Sequence, residues 1–299
     1  MPQERPGGER ESTVSEPGRA GLLELACEVA VAAGRLLLGR GGRPEVVGTK
    51  SSPTDVVTEA DRTAEALIRE LIGARRPDDR ILGEEGGETG AGSSPAALAT
   101  GVRWIVDPLD GTVNYLYGLP DWAVSIAAEA DGTVVAGAVF VPRRDELFSA
   151  ALGGGAWLSS GALDPRGEDA DPPARLSCNQ DVPLDRALVA TGFGYEAGRR
   201  LVQGEVLAGV LPVVRDIRRC GSAAVDLCSV ASGSVDAYYE RGVNLWDIAA
   251  GGLIAAEAGA RVTGLHGRPA GPSMTMAAAA PLLGQLHDLL AGLDPERDG

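Results

Sequence analysis

One stretch constrains this chain more than any other: Trp104-Ile105-Val106-Asp107-Pro108-Leu109-Asp110-Gly111-Thr112. Apolar residues in strand-forming order run into two aspartates, and a proline and a glycine stiffen the turn that carries them. Carboxylates gathered at a strand end repel one another, so either solvent screens them or something cationic holds them. Asp107, Asp110 and the Leu109 carbonyl offer only oxygen donors, with no His or Cys nearby, which suits a hard ion, Mg²⁺ rather than Zn²⁺. The amides of Gly111 and Thr112 follow at the start of a helical turn, where backbone N–H groups favour an anion. A Pro/Asp/Gly turn that merely ends a strand accounts for the hexapeptide equally well. An aspartyl-phosphate mechanism fails here, because the nucleophile's place two residues before Asp110 is taken by Pro108.

With 299 residues the chain has room for one or two domains and a substantial core. Aromatics are only 4% against 42 glycines, so that core must rely on small side chains and close packing. A formal net charge of −15 argues against nucleic acid and anionic membrane as partners, since both need a basic footprint. No apolar run approaches the ~20 residues that span a bilayer. Cys27, Cys178, Cys220 and Cys228 show no Cys-x-x-Cys spacing, and the Pro-, Gly- and charge-rich residues 1–20 read as a disordered tail rather than a targeting segment. The expected setting is cytoplasmic, with reduced thiols.

Residues 21–40 carry apolar positions at helical spacing, and Thr58-Glu59-Ala60-Asp61 has the form of a capping box opening a second helix through Arg76. Strands follow at Arg80–Gly83 and Arg103–Val106, separated by a Gly/Ser/Pro loop at 86–95. From Ala123 the pattern is an antiparallel meander, and the polar loop 164–173 is a plausible seam. Beyond it, strands at Ala187–Phe193, Val235–Glu240 and Met274–Ala279 interleave with helices at Glu205–Leu211, Ser222–Ser232, Asp247–Ala258 and Leu282–Leu293. That alternation indicates α/β layering. The expected organisation is the tail 1–20, an α+β subdomain 21–175 with the antiparallel sheet, and an α/β subdomain 176–299, the last two making one unit.

Other acidic stretches have ordinary explanations when read singly. Gly83-Glu84-Glu85 reads as an exposed turn, Asp61 as a capping acid, Asp247 as a helix N-cap, Glu240 as the polar end of a strand and Lys50 as a surface lysine. Taken in order with Asp107–Thr112, Asn114 and Gly221-Ser222-Ala223-Ala224, they resemble the inositol monophosphatases, Mg²⁺-dependent and lithium-sensitive phosphomonoesterases, over about residues 21–293. The resemblance implies a five-layer α-β-α-β-α sandwich and two to three Mg²⁺ ions. Glu84, Asp107 and the Leu109 carbonyl would hold one ion, Asp107, Asp110 and Asp247 a second, and Glu84 with waters a looser third. Asp61 and Thr112 would orient the attacking water, which gives Asp61, Glu84 and Thr112 catalytic roles, with the amides of Gly111 and Thr112 on the phosphate. Asp110, Ala223, Glu240 and Asp247 would line the alcohol side, with Lys50 and Asn114 as further candidates. It implies as well a small-molecule phosphomonoester substrate, with myo-inositol 1-phosphate first, and a homodimer. A histidinol-phosphate or broader sugar and nucleotide phosphatase on the same metal core is the alternative. A non-catalytic, metal-binding regulatory protein is the reading from a different class.

Overall fold

The structure is a computed structural model that describes residues 14–40, 46–49, 56–90, 101–164 and 172–298. Helix α1 (Glu16–Gly39) begins inside the stretch read as a tail, because Pro17 is tolerated in a first turn and Glu16 complements the helix start. Its buried stripe, Leu22, Leu25, Ala26, Val29, Ala30, Ala33 and Leu37, follows the expected spacing. Strands β1 (Val46–Thr49) and β2 (Val56–Thr58) pair antiparallel and lead into α2 (Glu59–Arg75). The capping box is present: the Thr58 N–H donates to Asp61 Oδ2 at 2.8 Å, and the Ala60 N–H donates to Thr58 Oγ1 at 3.1 Å.

Strand β3 (Arg80–Gly83) forms a hairpin with β4 (Gly87–Gly90), so the start of the stretch expected to be loop is paired; residues 91–95 lie outside the described residues. Strand β5 (Val102–Asp110) runs parallel to β3 and continues past Val106 to carry both aspartates, ahead of the short helix α3 (Thr112–Tyr117). Then comes the meander of β6 (Ala123–Ala130), β7 (Thr133–Val141), β8 (Glu146–Ala151), β9 (Ala156–Ser160) and β10 (Ala174–Arg175). These make an eight-stranded sheet in the order β10-β9-β8-β7-β6-β5-β3-β4.

The second half supplies β11 (Leu188–Thr191), α4 (Ala197–Val210), β12 (Asp216–Arg218), α5 (Ala223–Ala231), β13 (Ala237–Glu240), α6 (Leu245–Glu257), β14 (Arg261–Thr263), β15 (Thr275–Ala278) and α7 (Ala280–Leu293). Its five strands are ordered β12-β11-β13-β15-β14, with β11 parallel to both neighbours. Helix α4 extends well upstream of Glu205, because Gly198, Gly204 and Gly209 dilute the apolar period that would have marked it. Strands β12 and β14 have three residues each, too short to show a period at all.

Four apolar clusters separate five layers. Helices α1 and α2 cover one face of the large sheet. Helices α5 and α6 fill the space between the two sheets and pack on both. Helices α4 and α7 close the outer face of the smaller sheet. This is the α-β-α-β-α sandwich expected from the resemblance.

Small residues let the layers approach. A Cβ on Gly137 of β7 would stand 3.0 Å from the Ala250 Cα of α6, so glycine sets the spacing between sheet and central helices. Gly137→Val should therefore destabilise the fold by about 1–3 kcal/mol through overpacking. Gly73→Ala in α2, where a new Cβ meets nothing within 4 Å, should stabilise it by about 0.5–1 kcal/mol. Urea-unfolding midpoints of the two variants would check both signs.

Candidate active site

The two aspartates of β5 share a site because the strand is bulged. Asp107 pairs with Ser125 and Asp110 with Ala123, so β5 spends one residue more than β6 over this interval. Residues three apart on a regular strand face opposite sides of the sheet; the extra residue turns Asp110 back toward Asp107. Asp107 Oδ1 accepts the Leu109 N–H at 2.9 Å, which stiffens the bulge. Gly111 then enters α3 at φ 91°, with an added Cβ only 3.0 Å from the Asp121 carbonyl and 3.3 Å from that of Gly221. No other residue satisfies both the dihedral and the space.

A cavity of about 610 Å³ opens over this turn, and Glu84, Asp107, Asp110 and Asp247 all line it. They arrive on three elements, the two aspartates together on β5. Glu84 sits in the β3–β4 turn, which the buried Glu65 carboxylate of α2 clamps by accepting the Glu85 and Gly86 N–H groups at 2.8 and 2.9 Å. Asp110 Oδ2 accepts the Ser222 hydroxyl at 2.6 Å and the Ala224 N–H at 2.7 Å, fastening the bulge to the first turn of α5. Asp247 is not the N-cap of α6: Asn244 holds that position, and Asp247, three residues on, accepts its N–H at 2.6 Å.

Gly111, Thr112, Leu109, Ala223 and Glu240 also line the cavity. Asp61 lies fully buried behind that wall, with Thr112 Oγ1 3.1 Å from both Asp61 Oδ1 and the Leu109 carbonyl. Glu240 accepts the Tyr238 hydroxyl at 2.9 Å and lies against Gly192, where any Cβ would collide with its carboxylate. Asn114 is turned away from the cavity. Its side-chain amide donates to the Asp121 and Cys220 carbonyls at 2.5 and 2.8 Å, so it braces the loops around Gly111. Lys50 lies outside the described residues. Sequence patterns did not single out the Glu65 clamp, the Ser222 bond to Asp110, or Arg199 and Arg219, which also line the cavity. Only Ser222 had a local signal, as the N-cap of α5.

Electrostatic strain is concentrated on the shared wall. Burial pushes the Asp107 carboxyl well above its usual range, and the charges of Glu84, Asp110 and Asp247 push it further. Asp247 is raised well above its usual value by burial and then by Asp110 and Glu84. Burial raises Asp110 to about 6, although the Ser222 and Ala224 donors and the Arg219 charge oppose it. Glu240 is raised to about 7 by burial against the donation from Tyr238 and the Arg219 charge. Among the described residues no three or more His, Cys, Asp or Glu side chains stand in a closed metal-holding cluster; the carboxylates line one cavity, with Asp107 hydrogen-bonded to Glu84. An all-oxygen, mutually repelling donor set fits hard divalent cations, which would compete with protons for the same oxygens.

Comparisons with known proteins show the family to which nearly the whole chain is similar. Residues 19–295 match the model of the inositol monophosphatase family. An inositol-1-monophosphatase SuhB of Mycobacterium tuberculosis is 46% identical over 291 residues, covering 93% of this chain and 94% of the relative. A Nus factor SuhB of Pasteurella multocida is 37% identical over 248 residues, 82% of this chain and 86% of its own. A solved structure of Mycobacterium tuberculosis SuhB superposes with a TM-score of 0.75 at 42% identity, covering 93% of this chain and 99% of that one.

The raised carboxyls give a pH dependence of known sign. Where the folded pKa exceeds the unfolded one, the folded state holds the extra proton, so stability is lost as pH rises between the two values. For Asp110 that window runs from 3.8 to about 6, and for Glu240 from 4.5 to about 7. In EDTA the thermal midpoint should therefore fall as pH rises from about 4 to 7, and millimolar Mg²⁺ should flatten the fall; midpoints recorded at each pH with and without the cation would check this.

Proposed function

The chain belongs to the inositol monophosphatase family, and we propose that it hydrolyses small phosphomonoesters, myo-inositol 1-phosphate foremost, in a Mg²⁺-dependent reaction. The observation that carries this reading is the convergence of Glu84 from the β3–β4 turn, Asp107 and Asp110 from the β5 bulge and Asp247 from the first turn of α6 on one cavity. On this reading Glu84, Asp107 and the Leu109 carbonyl hold one ion, Asp107, Asp110 and Asp247 a second, and Glu84 a looser third. When bound, the ions supply Lewis acidity that makes water nucleophilic near neutral pH and offset the charge of the phosphoryl oxygens.

The chain's own groups do the remaining work. Thr112 Oγ1 donates its proton toward the buried Asp61 carboxylate, which leaves the hydroxyl oxygen free to accept from a water and aim it. The Gly111 and Thr112 amides meet the phosphate, since the φ of Gly111 opens α3 there. Glu240 accepts hydrogen bonds from substrate hydroxyls, with Ala223 leaving room beside it. A cytoplasmic setting accords with the four free cysteines, and among the described residues no helix is long and apolar enough to cross a membrane. A homodimer completes the proposal.

Phosphate release should be measured with and without Mg²⁺ over myo-inositol 1-phosphate, histidinol phosphate, fructose 1,6-bisphosphate and 3′-phosphoadenosine 5′-phosphate. Turnover that needs Mg²⁺, is suppressed by lithium and is fastest on inositol 1-phosphate is expected; a maximum on histidinol phosphate would move the assignment to the alternative. Asp110→Asn should lower kcat by at least about 10²-fold with an unchanged circular dichroism spectrum, because the amide oxygen still accepts from Ser222 and Ala224.

A further inference from the structure

A buried glutamine ties together two strand ends beside the cavity. Helix α4 buries Val202, Val206 and Val210, and Gln203 is the polar side chain buried with them. An amide in such a place is costly unless it is hydrogen-bonded. Both of its ends are: Gln203 Oε1 accepts the Gly194 N–H at 2.9 Å, and Nε2 donates to the Arg241 carbonyl at 3.2 Å. These partners belong to different strands. Strands β11 and β13 pair in parallel register as far as Thr191 and Tyr239, and there the ladder stops. Gly194 lies three residues beyond the end of β11, and Arg241 is the first residue beyond β13. The Gln203 side chain offers the donor and the acceptor of a peptide group, so it adds a rung where the two backbones no longer pair. Between the tied points the Glu240 carboxylate lies over Gly192. The second loop is held from its other side as well. There the Gly242 N–H donates to the Pro272 carbonyl at 2.9 Å, and the Arg241 guanidinium donates to the Pro295 and Arg297 carbonyls at 3.1 and 2.6 Å.

We propose that Gln203 is a positioning residue: by fixing the gap between the ends of β11 and β13, it holds the Glu240 carboxylate where substrate hydroxyls can donate to it. The inference rests on the phosphatase reading, in which Glu240 faces the alcohol part of the substrate. Gln203 stands behind the cavity and acts on it through two loops, which line it with Gly194 on one side and Gly242 on the other. Without the amide, the Gly194 N–H and the Arg241 carbonyl lose their partner, and the strand ends lose their shared anchor. The damage falls on hydroxyl recognition. Asp107 and Asp110 rest on the β5 bulge and the start of α5, so they keep their places.

The test uses the full chain with Mg²⁺ and two probes that share a six-membered ring. In myo-inositol 1-phosphate the ring carries hydroxyls, and in cyclohexyl phosphate it carries none. Gln203→Met keeps the length of the side chain and removes both ends of the amide. It should lower kcat/KM on myo-inositol 1-phosphate by about tenfold, mostly through KM, which is the effect of one hydrogen bond to a charged group, and change cyclohexyl phosphate by less than about twofold. Gln203→Glu keeps an acceptor for Gly194 but sets an oxygen against the Arg241 carbonyl, so it should narrow the preference too. In a Glu240→Ala background Gln203→Met should alter the ratio between the probes no further, because the group it positions is gone. Equal losses on both probes would mark a purely structural amide and overturn the proposal. So would a wild type without preference, a preference that both variants leave intact, or an undiminished effect in the Glu240→Ala background. Calorimetric titration gives the same ratios in Kd without turnover. Gln203-dependent preference in binding, with no hydrolysis of either probe by wild type, would keep the positioning role and sink the phosphatase reading. Hydrolysis of both probes with a preference untouched by the Gln203 variants would do the reverse.

Discussion

Repulsion among four carboxylates is the constraint around which the rest of this structure is arranged. Glu84, Asp107, Asp110 and Asp247 face one cavity between layers, where burial pushes the carboxyls of the last three upward and neighbouring carboxylate charge pushes Asp107 and Asp247 further. A fold would not hold such a group together by chance, because an uncompensated buried charge costs several kcal/mol. Each acid is fixed by a donor that leaves the shared wall intact: the Leu109 amide for Asp107, the start of α5 for Asp110 and the Asn244 amide for Asp247. Glu65 holds the turn behind Glu84. Rigid supports of this kind are what a site needs if it is to present oxygen ligands rather than collapse into ion pairs.

The layered architecture explains how residues far apart in the chain reach one place. The bulge of β5 lies where the large sheet meets α5 and α6, and those helices also pack on the smaller sheet, whose β13 ends in Glu240. Their first turns carry Ala223 and Asp247, so the helix starts and the strand ends open on the same cavity. The result is a cavity whose acids suit cations that in turn hold a phosphate, with the Arg219 charge easing the burial of Asp110 and Glu240.

Much of this was legible in the sequence, and the rest was hidden for physical reasons. The capping box at Thr58 and the Ser222 cap rest on local hydrogen bonds a few residues apart, so short patterns reveal them. The lining acids were found because one motif is rigid and the others fall in the order of a known family. The bulge was invisible, since an extra residue is defined only by the partner strand; the sequence therefore suggested a strand ending at Val106 with a turn beyond it. Asn114 looked like a substrate residue because it follows the motif, yet its amide is spent on two backbone carbonyls brought close by tertiary structure. The Glu65 clamp and the places of Arg199 and Arg219 in the cavity likewise depend on groups distant in the chain, and no local spacing announces them.

Diffraction from crystals soaked in Mn²⁺, an oxygen-preferring stand-in for Mg²⁺, tests the central claim most directly through its anomalous signal. The account predicts at least two anomalous peaks inside the cavity, one between Glu84 and Asp107 and one among Asp107, Asp110 and Asp247. A cavity without any peak, or manganese gathered instead at exposed groups such as His266 and His287, would contradict it.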